Sequence, residues 1–534
     1  MSKYLIFSLS IAFSLIFHQC SSFTTEQACF KKAAENGKLA NEAFNRSLHF
    51  VKGWLAHTDS ATGLIPRNLN QDKDIWNAKD AAADNYPFMV LTTALTDINL
   101  FEGRMKEMLL TEKRLTSRVD RLPDTYSFSK KCFEDEAPNL DRIIFGASEY
   151  AKDGLMPLTE WLGPSPWSER MIELADDIWQ HAPYPTQFGN IPAMDHEVNG
   201  DLLQVLSRLY WMTGNQRYLD NAFRLADYFF FEKELSTADI RLRLRDHGCE
   251  IVSGLAEVYV AAHFIAPEKK KAYQPHLHKL YDLILEKGRN EDGLLYNWVN
   301  LQTGEHDSTL CDTWGYNYNG LYTVYLIDGV KRYQEATLKV LSNLYGKYHN
   351  YRWEGSSMDG YADAIESALN LYQREPVEST AKWIDAEIQV MWQKQQPDGV
   401  IEGWHGDGNF ARTSIMYALW KTKGLTISNW RSDLEIGAEF VGSELYITLK
   451  AQSDWQGKLL FDIPRHQTYL YLPLDYPRIN QFPEWFTVSA KRSYYLYNTE
   501  LKLKKKYSGI ELAKGIAIEL KNGDEKRMIL MDEQ

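Results

Sequence analysis

Five short stretches of this chain bring together residue types that do acid–base chemistry. They are Asp195-His196-Glu197-Val198-Asn199-Gly200-Asp201, Arg243-Leu244-Arg245-Asp246-His247-Gly248-Cys249-Glu250, Asp312-Thr313-Trp314-Gly315-Tyr316-Asn317-Tyr318, Met358-Asp359-Gly360-Tyr361-Ala362-Asp363, and Trp404-His405-Gly406-Asp407-Gly408-Asn409-Phe410-Ala411-Arg412. A sixth stretch, Asp80 to Tyr86, precedes Pro87 and an apolar run. Each stretch has a plain structural explanation. Asp and Asn ahead of a helix accept hydrogen bonds from its free N–H groups and suit the positive end of its dipole. Arg243 and Arg245 suit ion pairs, and Trp314 and Tyr361 suit a core. Capping does not explain His196, His247 and His405, each beside acids, with arginines and aromatic residues close by.

The sequence narrows the chemistry. His-x-x-x-His and a Cys/His quartet, the marks of a zinc site, do not occur, so no metal is expected. No glycine-rich phosphate loop follows a strand and there is no Gly-x-Ser-x-Gly turn, so no cofactor and no serine nucleophile are expected. Two reactions on a sugar fit the remaining groups. Glycoside hydrolysis needs a proton donor and a second carboxylate, for which Asp359 with Glu250 or with Asp407 qualifies. Water elimination from a uronic acid needs cations or hydrogen-bond donors for the carboxylate, a base for the C5 proton and an acid for the departing C4 oxygen. Arg245, His247, Tyr316, Tyr318, His405 and Arg412 supply such a set. A non-catalytic sugar-binding protein is a third alternative, one that has no need of converging His, Tyr and acids.

The elements that must position these groups show two periods. From about residue 30 to about 425 the apolar period is helical: Leu202, Val205, Leu206, Leu209 and Tyr210 form one stripe, Ile251, Leu255, Val258, Tyr259 and Ala262 another. Links such as Thr213-Gly214-Asn215 are short, which makes neighbouring helices antiparallel hairpins. The polar helix starts recur around Gly200, Gly248, Gly315, Gly360 and Gly408, at intervals of 48, 67, 45 and 48 residues. One hairpin per interval, closed into an (α/α)6 toroid, would bring all the polar starts to one rim. Beyond about residue 426 the period is two, as in Leu445, Ile447, Leu449 and Ala451, which predicts a β-sandwich. The expected organisation is therefore an export signal over 1–20, a helical catalytic domain over 21–425 and an all-β domain over 426–534. In the last, Trp455 and Trp485 are candidates for a subsidiary sugar contact.

The chain has 534 residues, 59 Lys+Arg and 72 Asp+Glu, a formal charge of −13. That balance excludes a protein built to bind nucleic acid, and Lys504-Lys505-Lys506 is a short basic run that suits a solvated turn. Lys3, the uncharged stretch Tyr4 to Phe17 and the exit His18-Gln19-Cys20-Ser21-Ser22 describe a secretory signal, with Cys20 a candidate for lipid attachment. No later stretch is apolar enough to span a membrane. The expected location is the periplasm or a lipid tether. Cys29, Cys132, Cys249 and Cys311 show no metal-ligand spacing.

Trp76 to Phe88, Asp246-His247-Gly248-Cys249-Glu250, Asp312-Thr313-Trp314-Gly315-Tyr316 and Trp404 to Arg412, with the helix–sandwich order, carry a resemblance. The chain resembles the exported (α/α)6-toroid enzymes with which marine and gut Bacteroidetes process uronic-acid oligosaccharides. Among them it looks most like the oligosaccharide dehydratase of ulvan breakdown, and next like the toroidal β-glucuronidases. The resemblance implies elimination of water across C4–C5 of a non-reducing-end glucuronic acid, or release of that glucuronic acid. The candidate catalytic residues are His247, Tyr316, Asp359 and His405. The candidate substrate-binding residues are Arg245, Glu250, Trp314, Tyr318, Tyr361, Asp407, Arg412 and His196, and the expected partner is a uronic-acid-containing oligosaccharide.

Overall fold

A computed structural model describes side chains over residues 26–533; the expected export segment 1–20 and its Cys20 lie outside these described residues. The chain forms two compact units. The first is Arg46–Met416 with Arg465–Pro483, and the second is Met1–Asn45 with Tyr417–Pro464 and Glu484–Gln534.

The first unit is an α/α toroid. Its helices are α1 (Lys3–Leu55, of which the last turns belong here), α2 (Ala78–Asn85 running into Tyr86–Thr96), α3 (Lys106–Thr116), α4 (Leu140–Glu149, Tyr150–Leu155 and Met156–Leu162 in succession) and α5 (Pro166–Gln180). They continue as α6 (His196–Thr213), α7 (Gln216–Asp227), α8 (Cys249–Ile265), α9 (Pro267–Lys287), α10 (Trp314–Asp328), α11 (Lys331–Lys347), α12 (Met358–Arg374), α13 (Glu378–Trp392) and α14 (Asp407–Thr422). Even-numbered helices line the inside and odd-numbered ones wrap them. Burial shows the division. Every residue of α8 from Cys249 to Ala262 is buried, whereas α9 buries one stripe, Tyr273, Leu277, Leu280, Tyr281, Ile284 and Leu285. The toroid read from the sequence is present, and its inner circle runs from α2 through α14. The end of α1 with α2 supplies one further pair.

The recurring glycines are where inner helices touch. A Cβ on Gly200 of α6 would lie 2.5 Å from the Ile251 nitrogen of α8, and one on Gly315 of α10 would lie 2.4 Å from Ser367 Cβ of α12. On Gly408 of α14 it would stand 2.0 Å from the Asp84 carbonyl of α2, the contact that closes the circle. Any larger residue at these places would push neighbouring helices apart.

Two inner helices carry a wide turn. The Tyr86 N–H bonds back five residues to Ala81, and the Met156 N–H to Ala151. Pro87 and Pro157 follow at once; having no N–H, neither can continue the ordinary ladder. Wide turns of this kind re-aim side chains and recur at functional sites. Here they present Asp80 and Asp84 from α2, and Lys152 and Asp153 from α4.

The second unit holds two antiparallel sheets. Its strands are β1 (Thr426–Ile427), β2 (Leu434–Val441), β3 (Glu444–Ala451), β4 (Trp455–Leu460), β5 (Ser493–Asn498), β6 (Leu503–Ser508), β7 (Ile516–Leu520) and β8 (Glu525–Asp532). The sheets run β6-β5-β8-β3-β2 and β7-β4-β1. Leu445, Ile447 and Leu449 of one sheet share a core with Leu459, Ile516, Ile518 and Leu520 of the other, the sandwich that alternation predicts. Edge strand β2 is covered by α1: Asn36 donates to the Ala438 carbonyl (2.9 Å) and Asn41 to that of Leu434 (2.7 Å).

The compact units therefore differ from a simple division at 425/426. The start of α1 joins the strands through those asparagines. Segment 465–483 joins the helices through ion pairs of Arg478 with Glu160 (3.2 Å) and Asp475 with Arg374 (2.5 Å). Helical periodicity says that α1 has an apolar face, not which partner covers it.

Candidate active site

Inside the toroid, a cavity of about 380 Å³ opens among the starts of the inner helices. Its lining is almost wholly polar, and it divides into three groups of side chains.

The first group centres on Asp84. Asp80 accepts from Arg67 Nε (2.6 Å) and Asn77 Nδ2 (2.5 Å) and stands 3.3 Å from His405 Nε2. Burial works against charge on Asp80, but His405, Asn77 and Arg67 hold its carboxyl below the usual range. Asp84 has no such support. Burial, with Asp80, Asp153 and Asp246 nearby, pushes its carboxyl well up, towards the protonated form. Burial and the neighbouring cations bring His405 down to about 4, so its imidazole is neutral. Asn68 Oδ1 accepts from the His405 backbone N–H at 2.9 Å and fixes the ring's place.

The second group centres on His247, a non-glycine residue with φ of 65°. This left-handed conformation is strained and is held by what surrounds the ring. Nδ1 meets Glu197, and Nε2 meets Asp246 Oδ2 at 2.9 Å. Burial opposes the charge, yet hydrogen bonds to the two carboxylates push His247 up to about 10. The same contact holds Asp246 well below the usual range against its own burial. Lys152 lies beside this group, its Nζ 2.7 Å from Asp153 and 3.3 Å from Glu250.

The third group centres on Arg412. Its Nη2 lies 2.5 Å from Asp363 and 3.3 Å from the Tyr316 hydroxyl, and its Nε 2.7 Å from Glu366. The Tyr316 hydroxyl donates to Asp363 at 3.0 Å. Burial pushes Asp363 up to about 8 despite Arg412, and pushes Tyr316 well above its usual value. Asn409 donates to Asp359 (2.7 Å), whose carboxyl is likewise pushed well up by burial and by Asp363.

The expected residues divide accordingly. His247, Tyr316, Asp359, His405, Arg245, Glu250 and Arg412 all line the cavity, although they come from positions 245 to 412. The other five do not. Trp314 is fully buried beside Tyr318, whose hydroxyl donates to the Gly293 carbonyl (2.6 Å); both are core residues. Tyr361 is buried on the far side of its helix from the cavity lining. Asp407 accepts from the backbone N–H groups of Ile401, Glu402 and Gly403 and from the Trp54 indole, so it organises the loop before α14. His196 packs edge-on against Phe229 at 5.8 Å and is brought down to about 4 by burial and Lys233. One helical position separates a residue that faces the cavity from one that caps or packs.

Several lining residues carried no special signal. Glu149, Lys152 and Asp153 lie mid-helix, where charges ordinarily face water; only the wide turn aims them inward. Asn480 comes from the segment after α14. It accepts from Arg412 Nη1 (3.1 Å) and donates to Asp153 (2.9 Å). Arg243 and Lys79 also line the cavity, and neither has a carboxylate at ion-pair distance among the described residues. Trp404, half-buried, is the one indole in the lining.

No family model matches the chain, and no curated protein sequence does. Solved structures similar to it include an α-1,6-mannanase variant of Salegentibacter sp. HEL1_6, at 10% identity and TM-score 0.40, covering 70% of this chain and 98% of that one. A family 76 glycoside hydrolase (mannosidase) of Bacteroides thetaiotaomicron matches at 11% identity and TM-score 0.40, over 71% and 98% of the two chains. The cellobiose 2-epimerase of Spirochaeta thermophila matches at 12% and 0.39, over 59% and 85%. Likenesses this remote carry no argument about activity. Among the described residues no helix is long and apolar enough to cross a membrane.

Proposed function

We propose that the chain is a carbohydrate-active enzyme that processes a terminal uronic acid on an oligosaccharide, with carboxyl groups as its acid and base. The observation that carries this reading is the charge of the cavity. Seven cationic groups (Arg67, Lys79, Lys152, Arg243, Arg245, Arg412 and His247) line the cavity, and two of them, Arg243 and Lys79, have no carboxylate at ion-pair distance among the described residues. Unpaired cations in a chain of formal charge −13 suit an anionic ligand. Arg243 and Lys79, free of ion pairs, are the groups assigned to the uronate carboxylate, and Trp404 to the apolar face of the sugar ring.

Hydrolysis is the reaction best supported. Glycoside cleavage needs one carboxyl that keeps its proton and one that stays ionised. Asp84 and Asp246 fit those roles. Asp84 gives its proton to the glycosidic oxygen as the C1–O bond breaks, and Asp246 takes a proton from the water that adds to C1. Arg412 and Tyr316 are occupied by Asp363 and Glu366 and serve to organise the wall.

A second reading, dehydration of the terminal glucuronic acid of ulvan-type oligosaccharides, is favoured by the neutral state of His405 at the cavity edge. His405 would take the C5 proton while Asp84 protonates the C4 hydroxyl, which leaves as water as the C4–C5 double bond forms. Export through segment 1–20, with or without a lipid on Cys20, belongs to the same proposal, since such oligosaccharides arise outside the cytoplasm. The test is to incubate the purified protein with saturated glucuronyl-rhamnose oligosaccharides and follow products by mass and ultraviolet absorbance. Free glucuronic acid supports hydrolysis. Loss of one water with a new conjugated enoate supports dehydration, and neither product in any uronate-capped substrate overturns both.

A further inference from the structure

We propose that Glu149 and Asp153 of α4 and Asp201 of α6 form a binding site for a hard divalent cation, calcium foremost. Oxygen atoms of these three carboxyl groups lie within 4.8 Å of one another. A cation bound at about 2.3–2.6 Å from each oxygen needs ligands no farther apart than that. An oxygen-only donor set selects calcium or magnesium over zinc or copper.

Proximity of acids alone would not make a site. The independent observation is Asp201. It is 0% exposed, and neither carboxyl oxygen has a hydrogen-bond partner. A buried polar group left without a partner is costly, more so if charged, so it calls for a ligand. Lys152 does not supply one: its Nζ lies 2.7 Å from Asp153 and 3.3 Å from Glu250 but 3.9 Å from Asp201, beyond hydrogen-bond reach. A divalent cation would give Asp201 its partner.

The backbone is built to the purpose. Glu149 and Asp153 straddle the wide turn of α4, and Asp201 stands one turn beyond Glu197 on the adjacent inner helix, where Gly200 allows close packing. Glu149 and Asp153 also line the cavity, so a cation held here would add to its positive charge whichever reaction it performs.

The test uses the full chain, treated with chelator and titrated with calcium chloride by calorimetry, and with terbium by luminescence. Saturable uptake of one calcium per chain is expected, with half-saturation near ~10⁻⁴–10⁻³ M. Terbium at the site should be displaced by calcium. Asp201→Asn and Glu149→Gln should each weaken uptake at least about tenfold, with an unchanged circular dichroism spectrum. If Asp201→Asn does not fold, Glu149→Gln decides alone. No saturable uptake by the wild type, or uptake unaffected by the variants, overturns the proposal.

Discussion

Two clusters of buried charge occupy opposite ends of the same inner helices, and they are organised in opposite ways. Towards the ends of α4, α6 and α8, Arg208 bridges Glu160 (3.0 Å) and Glu257 (2.5 Å), Arg478 reaches Glu160 (3.2 Å) and the Tyr476 hydroxyl donates to Glu257 (3.0 Å). Two arginines meet two glutamates, and each charge has a partner. At the starts of those helices and of their neighbours, carboxyl groups outnumber their partners. Burial pushes the carboxyls of Asp84, Asp359 and Asp363 up, His247 is held as imidazolium, and His405 is held neutral. Paired charge in a protein interior serves architecture. Charge left unbalanced there is costly and persists where it serves chemistry.

The comparison predicts different losses at the two ends. Asp84→Asn should lower turnover by about 10²–10⁴-fold, the range for lost acid–base help, while the denaturation midpoint stays near that of the wild type. Arg208→Met should act the other way, removing about 3–5 kcal/mol of stability by leaving buried Glu257 without a cation and Glu160 with Arg478 alone, as measured by urea unfolding. Equal effects of both variants on stability would erase the distinction.

A smaller effect sharpens the role of the free cations. Arg243→Met should raise KM for a uronate-capped substrate about tenfold, roughly 1.4 kcal/mol, and leave that for a neutral analogue unchanged. Steady-state kinetics on matched glucuronide and glucoside substrates separates the two. His247 offers a pH test. Its folded value of about 10 exceeds the ordinary histidine value of 6.5, so its contribution to stability is complete below about 6.5 and is lost as pH rises towards 10. The stability difference between wild type and His247→Gln should therefore shrink across that interval, as read from denaturation curves at successive pH values. The smallest effect is expected at His196, which packs on Phe229 outside the cavity: His196→Gln should leave turnover near wild type.

Much of the frame was legible in the residues. Period 3.6 and short turn-forming links are local properties, and so is the alternation of Leu445, Ile447 and Leu449. The evenly spaced glycines announced close helix contacts, which Gly200, Gly315 and Gly408 now make. The extra pair from α1 and α2 was hidden because α1 has no preceding hairpin partner to mark it. Within the site, residue type picked out His247, Tyr316, Asp359, His405 and Arg412, which line the cavity. It misassigned Asp407 and Trp314, because a cap and a core residue share the composition of a rim. Pairs of acids four residues apart, Asp80 with Asp84, Glu149 with Asp153, Glu197 with Asp201 and Asp359 with Asp363, stand on four inner helices. That spacing places both members on one helical face and is visible without a structure. Nothing local signals Asn480, which reaches the cavity only because segment 465–483 docks on the toroid.

The central claim is that this cavity selects an anionic sugar. Its most direct measurement compares kcat/KM for a panel of oligosaccharides that differ only in having glucuronic acid or glucose at the non-reducing end. A preference for the glucuronide that collapses in the Arg243→Met, Lys79→Met double variant is predicted; equal turnover of both sugars by the wild type would contradict it.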